Sequence, residues 1–427
     1  MITAAIEIAD LKNMINNIKQ IVFNKRNKMP AWHFCGLIVF FASFCCYANI
    51  NATNHDIQNL LNNFRINSNV PAAVLSINSQ DNKLSNFVSG TLMQRTATDK
   101  NPSPIATDNL FQIGSITKSF TAAVVLQLEA EGKLSINDTI SDITQKYGQW
   151  LPKKEYDAWK NISIKQLLNM TSGIYSVTED KDFMSMLAKQ PLKNWTPQEI
   201  IKYAYKNKSY FFPGKGWHYS DTNYNILEIL IETVTKHSFK DEINQRILKK
   251  YGLNNTYYLP CEYPINIMDR MAHGYAYTGG GFSPPIASGS DMTRFNMSAA
   301  GASGALVSNS IDITRWVKLI FTGNILPAAQ LNEMMSAVCT GEDKSCNPGE
   351  PLSSDSHSQG YSLGLARIYD PQLGVVWVYI GGTPGYFSSL MWLPKKNIAL
   401  ALTVSATTKE SKKLLKLLGE SAKLILK

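Results

Sequence analysis

Short β-rich stretches stand at both ends of this chain, and a long helix-rich stretch separates them. Residues 70–77 and 84–90 read as two strands around a polar turn at 79–83. Near the other end, residues 361–369, 375–380, 387–393 and 398–405 are short β-rich segments. Pro394-Lys395-Lys396-Asn397 is a tight turn between the last two. From about Ser115 to Lys250 the pattern is mainly helical. The clearest helices there are 118–131, stopped by Gly132, and 224–236. Residues 56–64 look helical, and 409–427 form an amphipathic helix with Leu414, Leu417 and Leu418 on one side. The fold class is α+β. Its simplest form is one antiparallel sheet joining the terminal strands, covered by N- and C-terminal helices, with a mainly helical insert over about residues 115–355. A functional site is then expected at the seam between sheet and insert.

Composition narrows the field of functions. The 427 residues are 44% hydrophobic, which excludes a disordered chain, and a single apolar run excludes a polytopic membrane protein. The net charge of +9 comes from Lys and Arg spread along the chain, so no nucleic-acid partner is expected. The apolar run, residues 34–48, follows the basic cluster Lys25-Arg26-Asn27-Lys28 and ends in Cys46-Tyr47-Ala48. It reads as a secretory signal, with an uncleaved membrane anchor as the other reading. The chain therefore divides into a leader or anchor over 1–52 and one domain over 53–427. A periplasmic or secreted protein is expected, and a membrane partner only if the leader is retained. Without residues 1–48, three cysteines are left: Cys261, Cys339 and Cys346. An oxidising compartment lets Cys339 and Cys346 bridge, while three unpaired thiols are the alternative. No Cys-x-x-Cys is present, and neither metal nor cofactor is expected.

Ser115-Ile116-Thr117-Lys118 carries the chemistry. A spacing of three on a helix puts the hydroxyl and the amine on one face. Ser115 then stands at a helix N-terminus, where free N–H groups favour developing negative charge. The residues that follow, Phe120-Thr121-Ala122-Ala123-Val124-Val125-Leu126, are almost wholly apolar, so the lysine should be buried. Burial disfavours its charged form and makes it a base for the serine. Two further segments add to this. Tyr219 and Asp221 stand two residues apart in a polar loop, where an extended backbone points both the same way. A phenol beside a lysine ammonium ionises more easily and shuttles protons. Gly381-Gly382-Thr383, at the end of a strand, lets a substrate backbone approach closely.

Ser-x-x-Lys, Tyr-x-Asp and a glycine-containing strand motif, in this order, resemble the serine β-lactamase and penicillin-binding-protein superfamily. The branch with D-alanyl-D-alanine carboxypeptidases, class C β-lactamases and related esterases is the most similar. Residues 110–120, 131–138, 167–174, Pro213-Gly214, 219–224 and 382–386 support this, and the resemblance covers about 55–405. It implies Ser115 as the nucleophile that forms an acyl-enzyme, Lys118 as its base and Tyr219 as a proton relay. It implies the N–H groups of Ser115 and Gly382 as an oxyanion hole, and Asp221, Tyr379, Gly381 and Thr383 as substrate-binding positions. The substrate it implies first is a D-alanyl-D-alanine peptide, with peptidoglycan as the larger partner. A β-lactam or an ester is the near alternative, and a non-catalytic cell-wall-peptide-binding homologue is the alternative of another class.

Two departures stand out. Asp221 replaces the usual Asn and, by favouring the ammonium, opposes Lys118 as a base. Tyr379 replaces the Lys or His that offers positive charge to a substrate carboxylate, which raises the esterase reading. Arg367 on the preceding strand supplies that charge in one reading and is a surface salt-bridge residue in the plainer one. Trp217, Tyr224 and Phe387 read as core aromatics, His218 as a solvated loop histidine and Gly301-Ala302-Ser303-Gly304 as a loop.

Overall fold

The computed structural model describes residues 52–94, 101–278, 282, 284–323, 325–408 and 412–426. The expected leader or anchor, residues 1–52, lies outside the described residues except for Ala52. The chain forms two compact units, 1–56 and 57–427. Of the first, residues 52–56 are described, and they are helical. The second opens with helix α1, residues 57–67.

Its centre is an eight-stranded sheet. The strands are β1 (Ala72–Asn78), β2 (Leu84–Gly90), β3 (Val338–Cys339), β4 (Gly360–Tyr361), β5 (Ala366–Asp370), β6 (Gly374–Thr383), β7 (Tyr386–Leu393) and β8 (Ile398–Val404). Their spatial order is β2-β1-β8-β7-β6-β5-β4-β3, and every pairing is antiparallel. β1 and β8 lie side by side, with Leu75 opposite Leu402. Strands from the two ends of the sequence are thus direct neighbours in the sheet, second and third from one edge, as the α+β pattern implies.

The helices that position the site are α2 (Thr117–Ala130), α3 (Asp221–Thr235), α4 (Ser310–Phe321) and α5 (Lys412–Ile425). The sequence of β8 shows how both sheet faces are covered. Leu400, Leu402 and Val404 join Ile57 and Leu61 of α1 and Leu414, Leu417 and Leu418 of α5 in one core. Ala399 and Ala401 join Trp316 of α4 and the apolar residues of α2 and α3 in another. A strand buried on both faces reads as an unbroken apolar run, and small alanines on one face leave room for α4. On that side, the Phe120 and Trp316 rings stack with centroids 3.8 Å apart, and the Trp316 indole N–H donates to Ser119 Oγ at 2.8 Å.

Two sequence expectations change. The single strand expected over 361–369 is two strands, because Gly364 takes φ +84° and turns the chain between them. Asp221 is the first residue of α3 and not part of an extended loop. Cys339 and Cys346 form a disulfide with Cα atoms 6.1 Å apart, and Cys261 is a free, exposed thiol. Among the described residues, no helix is long and apolar enough to cross a membrane.

Candidate active site

Ser115 sits in a 3-10 turn, Gly114–Ile116, that runs directly into α2. This turn is pressed against β6 backbone to backbone. Gly114 has φ +52°, and a Cβ there would lie 2.6 Å from the Gly382 nitrogen. A Cβ on Gly381 would overlap the Ile113 carbonyl oxygen and lie 3.0 Å from the Ser115 nitrogen. Ser388 Oγ on β7 donates to the same Ile113 carbonyl at 2.8 Å. Glycine at 114 and 381 is therefore a condition for bringing the Ser115 and Gly382 backbones together.

Lys118, the second residue of α2, is fully buried. Its Nζ lies 3.0 Å from Ser115 Oγ, 2.6 Å from Asp221 Oδ1 and 2.8 Å from the Ser303 carbonyl oxygen. Burial lowers the Lys118 pKa, and the Asp221 carboxylate opposes that by attraction and hydrogen bonding. Desolvation wins, so the acid in the place of Asn tempers the lysine without cancelling its basicity. When the amine is neutral, its two N–H bonds serve Asp221 and Ser303, which leaves its lone pair for Ser115. Asp221 is held in turn by Thr178, whose hydroxyl donates to Oδ2 at 3.2 Å.

Tyr219 Oη donates to Ser115 Oγ at 2.8 Å, so hydroxyl and amine converge on one oxygen. The phenol does not ionise more easily here. Burial, followed by the Asp221 charge and Tyr361, pushes its pKa well above the ordinary tyrosine value. The residue is a neutral proton donor. Behind it, Tyr379 Oη lies 3.3 Å from Tyr219 Oη and 2.7 Å from Tyr361 Oη. Three phenols, Tyr219 partly buried and Tyr379 and Tyr361 buried, thus extend from Ser115 into the sheet. Tyr361 drew no attention in the sequence, because a strand tyrosine looks like packing. Its signal is that it and Tyr379 stand on strands of one sheet.

Arg367 fits neither sequence reading. It is buried, at 3% exposure, and its guanidinium donates to the carbonyls of Ser353 (2.7 Å), Ser354 (3.3 Å) and Ser356. It clamps a loop and does not line the cavity at Ser115. The Gly301-Ala302-Ser303-Gly304 loop does, and its Ser303 carbonyl holds the lysine. Nothing in the residue types announced this, since any residue has a carbonyl. His218 stacks on Tyr210 with ring centroids 3.6 Å apart, and Tyr224 is core. Trp217 packs beside Tyr361 with ring centroids 5.8 Å apart.

A cavity of about 320 Å³ opens over Ser115. Gly382, Thr383 and Phe387 line it, so Phe387 is a wall and not only core. Gly381 does not line it; it is the contact with the serine turn. Phe183, Met184, Leu187, Phe282 and Phe295 form an apolar side. Among the described lining residues, Asp221 is the one charged side chain. Three or more His, Cys, Asp or Glu side chains placed to hold a metal ion do not occur among the described residues.

The Beta-lactamase family model matches residues 62–422. Penicillin-binding protein 4* of Bacillus subtilis (strain 168) is 26% identical over 298 residues, which cover 67% of this chain and 59% of that protein. Protein flp of Staphylococcus aureus (strain COL) is 26% identical over 306 residues, covering 71% of this chain and 54% of that protein. The chain thus spans somewhat over half the length of these relatives. Among solved structures, a D-stereospecific amidohydrolase from Streptomyces sp. superposes with a TM-score of 0.69 at 27% identity, over 84% of this chain and 96% of its own. D-amino acid amidase from Ochrobactrum anthropi SV3 shares the fold, with a TM-score of 0.70 at 24% identity over 88% of this chain and 98% of its own.

Proposed function

Because the chain belongs to the Beta-lactamase family, whose members are serine hydrolases, we propose that it cleaves amides or esters through an acyl-enzyme on Ser115. The observation that carries this is the convergence of Lys118 Nζ and Tyr219 Oη on Ser115 Oγ, at 3.0 and 2.8 Å. The neutral Lys118 amine takes the Ser115 proton as Oγ bonds to the substrate carbonyl carbon. The carbonyl oxygen gathers charge and is received by the N–H groups of Ser115 and Gly382, each such donor being worth about 3 kcal/mol. The C–N or C–O bond then breaks. The Tyr219 hydroxyl gives its proton to the departing group, and the proton now on Lys118 restores it. Water repeats the sequence to release the acid. Asp221 and the Ser303 carbonyl orient the amine throughout.

We assign the substrate an apolar acyl group and an uncharged leaving group. Two observations support this: the phenyl and aliphatic cavity side, and the place of the usual cation taken by Tyr379, a buried neutral phenol. A D-alanyl-D-alanine peptide, with peptidoglycan as its source, is the second reading, favoured by the penicillin-binding relative. It needs a partner for the terminal carboxylate that the described cavity lining lacks. We place the enzyme in the periplasm or outside the cell, on the strength of the apolar run at 34–48 and the Cys339–Cys346 bridge.

The test is a panel of p-nitrophenyl ester, D-phenylalanine amide, nitrocefin and D-alanyl-D-alanine peptide, with a fluorophosphonate probe read by intact mass. One adduct, lost in Ser115→Ala, together with turnover of ester or amide, is the expected result. Turnover of the D-alanyl peptide alone would reject the substrate assignment, and no adduct would reject the enzyme. Tyr379→His, which at this buried position gains its proton only below the ordinary histidine value of about 6.5, is expected when protonated to lower KM for a carboxylate-bearing substrate about tenfold, or about 1.4 kcal/mol. The KM for a neutral ester should not follow.

A further inference from the structure

Glu228 stands two turns along α3 from Asp221, within the run Ile226-Leu227-Glu228-Ile229-Leu230-Ile231. Its carboxyl is buried beneath the turn that carries Ser303. Oε2 accepts the Ala302 N–H at 2.8 Å, and Oε1 accepts the Tyr258 hydroxyl at 3.1 Å. Gly301, with φ +47°, is the close approach that allows this, since a Cβ there would overlap Oε2. The same turn is held from α2, where Thr121 Oγ1 donates to the Ala302 carbonyl at 2.7 Å. It is held again from α3, where Asn225 Nδ2 donates to the Ala300 carbonyl at 3.3 Å. One residue beyond Ala302, the Ser303 carbonyl takes a hydrogen of Lys118.

We propose that Glu228 is a positioning residue for acyl transfer: its ionised carboxylate grips the Ala302 N–H, fixes the Ser303 carbonyl, and so keeps the Lys118 lone pair aimed at Ser115. The inference rests on the acyl-enzyme reading above. An ionised acceptor makes a shorter, stronger hydrogen bond than a neutral one. Protonation therefore loosens the turn without removing any side chain. The amine is then free to rotate about its stem, and near-attack geometry is lost while the substrate cavity is unchanged.

The groups around Glu228 put this change within reach of neutral pH. Burial, and more weakly Glu232 on the same helix, raise its pKa, the Ala302 N–H and the Tyr258 hydroxyl lower it, and the outcome is about 7. From the segment that carries Tyr258, the Cys261 thiol also feels the Glu228 charge, and Lys240 acts on that thiol. Because the folded-state value lies above the ordinary 4.5, folding is helped by the proton below 4.5, and that help is lost as pH rises through about 7. The carboxylate is thus maintained at the expense of stability.

The experiment compares the full chain with E228Q. In the wild type, kcat for ester hydrolysis should rise about tenfold as pH passes 7. In E228Q it should stay at the wild type's low-pH level from pH 6 to 8.5, with KM changed less than twofold. E228Q should also keep its melting temperature above pH 7, where the wild type declines. A uniform fall in kcat that retains the inflection near 7 would make Glu228 merely structural and overturn the proposal. So would superimposable profiles. The Lys118 13Cε titration, assigned with Lys118→Arg, separates this from failure of the acyl-enzyme reading. If Ser115 proves inert, a Lys118 pKa lowered in E228Q still supports the coupling, and an unchanged one rejects it.

Discussion

Lys118→Met is expected to reduce kcat for ester hydrolysis by about three to four powers of ten, with Ser115, Tyr219 and the cavity in place. The methionine fills the lysine's buried channel but offers Ser115 no base. Tyr219 cannot substitute, because its pKa lies well above the ordinary tyrosine value and its proton is held near neutral pH. The variant should fold. Removing one partner of a buried ion pair typically costs about 3–5 kcal/mol, but Asp221 is partly exposed to solvent and keeps its contact with Thr178, which lowers that cost. Loss of activity in a variant whose melting curve shows it still folded at the assay temperature therefore assigns the effect to chemistry. The pH dependence carries the same sign. Folding lowers the Lys118 pKa, so the native state binds fewer protons and its stability falls as pH drops through the lowered value. Lys118→Met should lack that fall. A variant that keeps more than a tenth of the wild-type kcat would remove the lysine from the mechanism.

Gly381→Ala should also be damaging, though less so, for a reason unrelated to proton transfer. The new methyl would overlap the Ile113 carbonyl oxygen, which is backbone and cannot swing aside. β6 must then move away from the serine turn, taking the Gly382 N–H with it. Forced overpacking of this kind costs about 1–3 kcal/mol of stability, and displacing one oxyanion donor by about 1 Å costs about a hundredfold in rate. Gly419→Ala is the matched control. Nothing lies within 4 Å of a Cβ at that position in α5, and alanine favours the helix by about 1 kcal/mol. Thermal melting and kcat measured on both variants decide whether the Gly381 contact matters as described.

The parts of the site that were legible in the sequence are those written in side-chain types at fixed spacing. Ser115 and Lys118 meet because three residues is almost one helical turn. The apolar run after them correctly implied a buried amine. Tyr219 and Asp221 were found together, though through a helix start and not an extended loop. What escaped was chemistry carried by backbone. The Ser303 carbonyl and the Ile113 contact with Gly381 depend on where loops return in space, which local pattern does not encode. Arg367 was misread for a similar reason, since its partners are three carbonyls of a loop more than ten residues away. Glu228 did leave a trace, as a lone carboxylate inside six residues otherwise aliphatic. The sheet was read well at its apolar strands and poorly at 361–369, where one glycine with positive φ splits a β-rich run.

The pairing of β1 with β8 has a consequence for how the molecule comes into being. Ala73 meets Val404 across more than three hundred residues of intervening chain. On a ribosome, β1 emerges early and waits through most of synthesis with an apolar face and an open hydrogen-bonding edge. Such a long-range closure is slow, and the waiting strand is open to off-pathway association. Chains stalled or truncated before residue 398 should therefore accumulate as chaperone clients or aggregates.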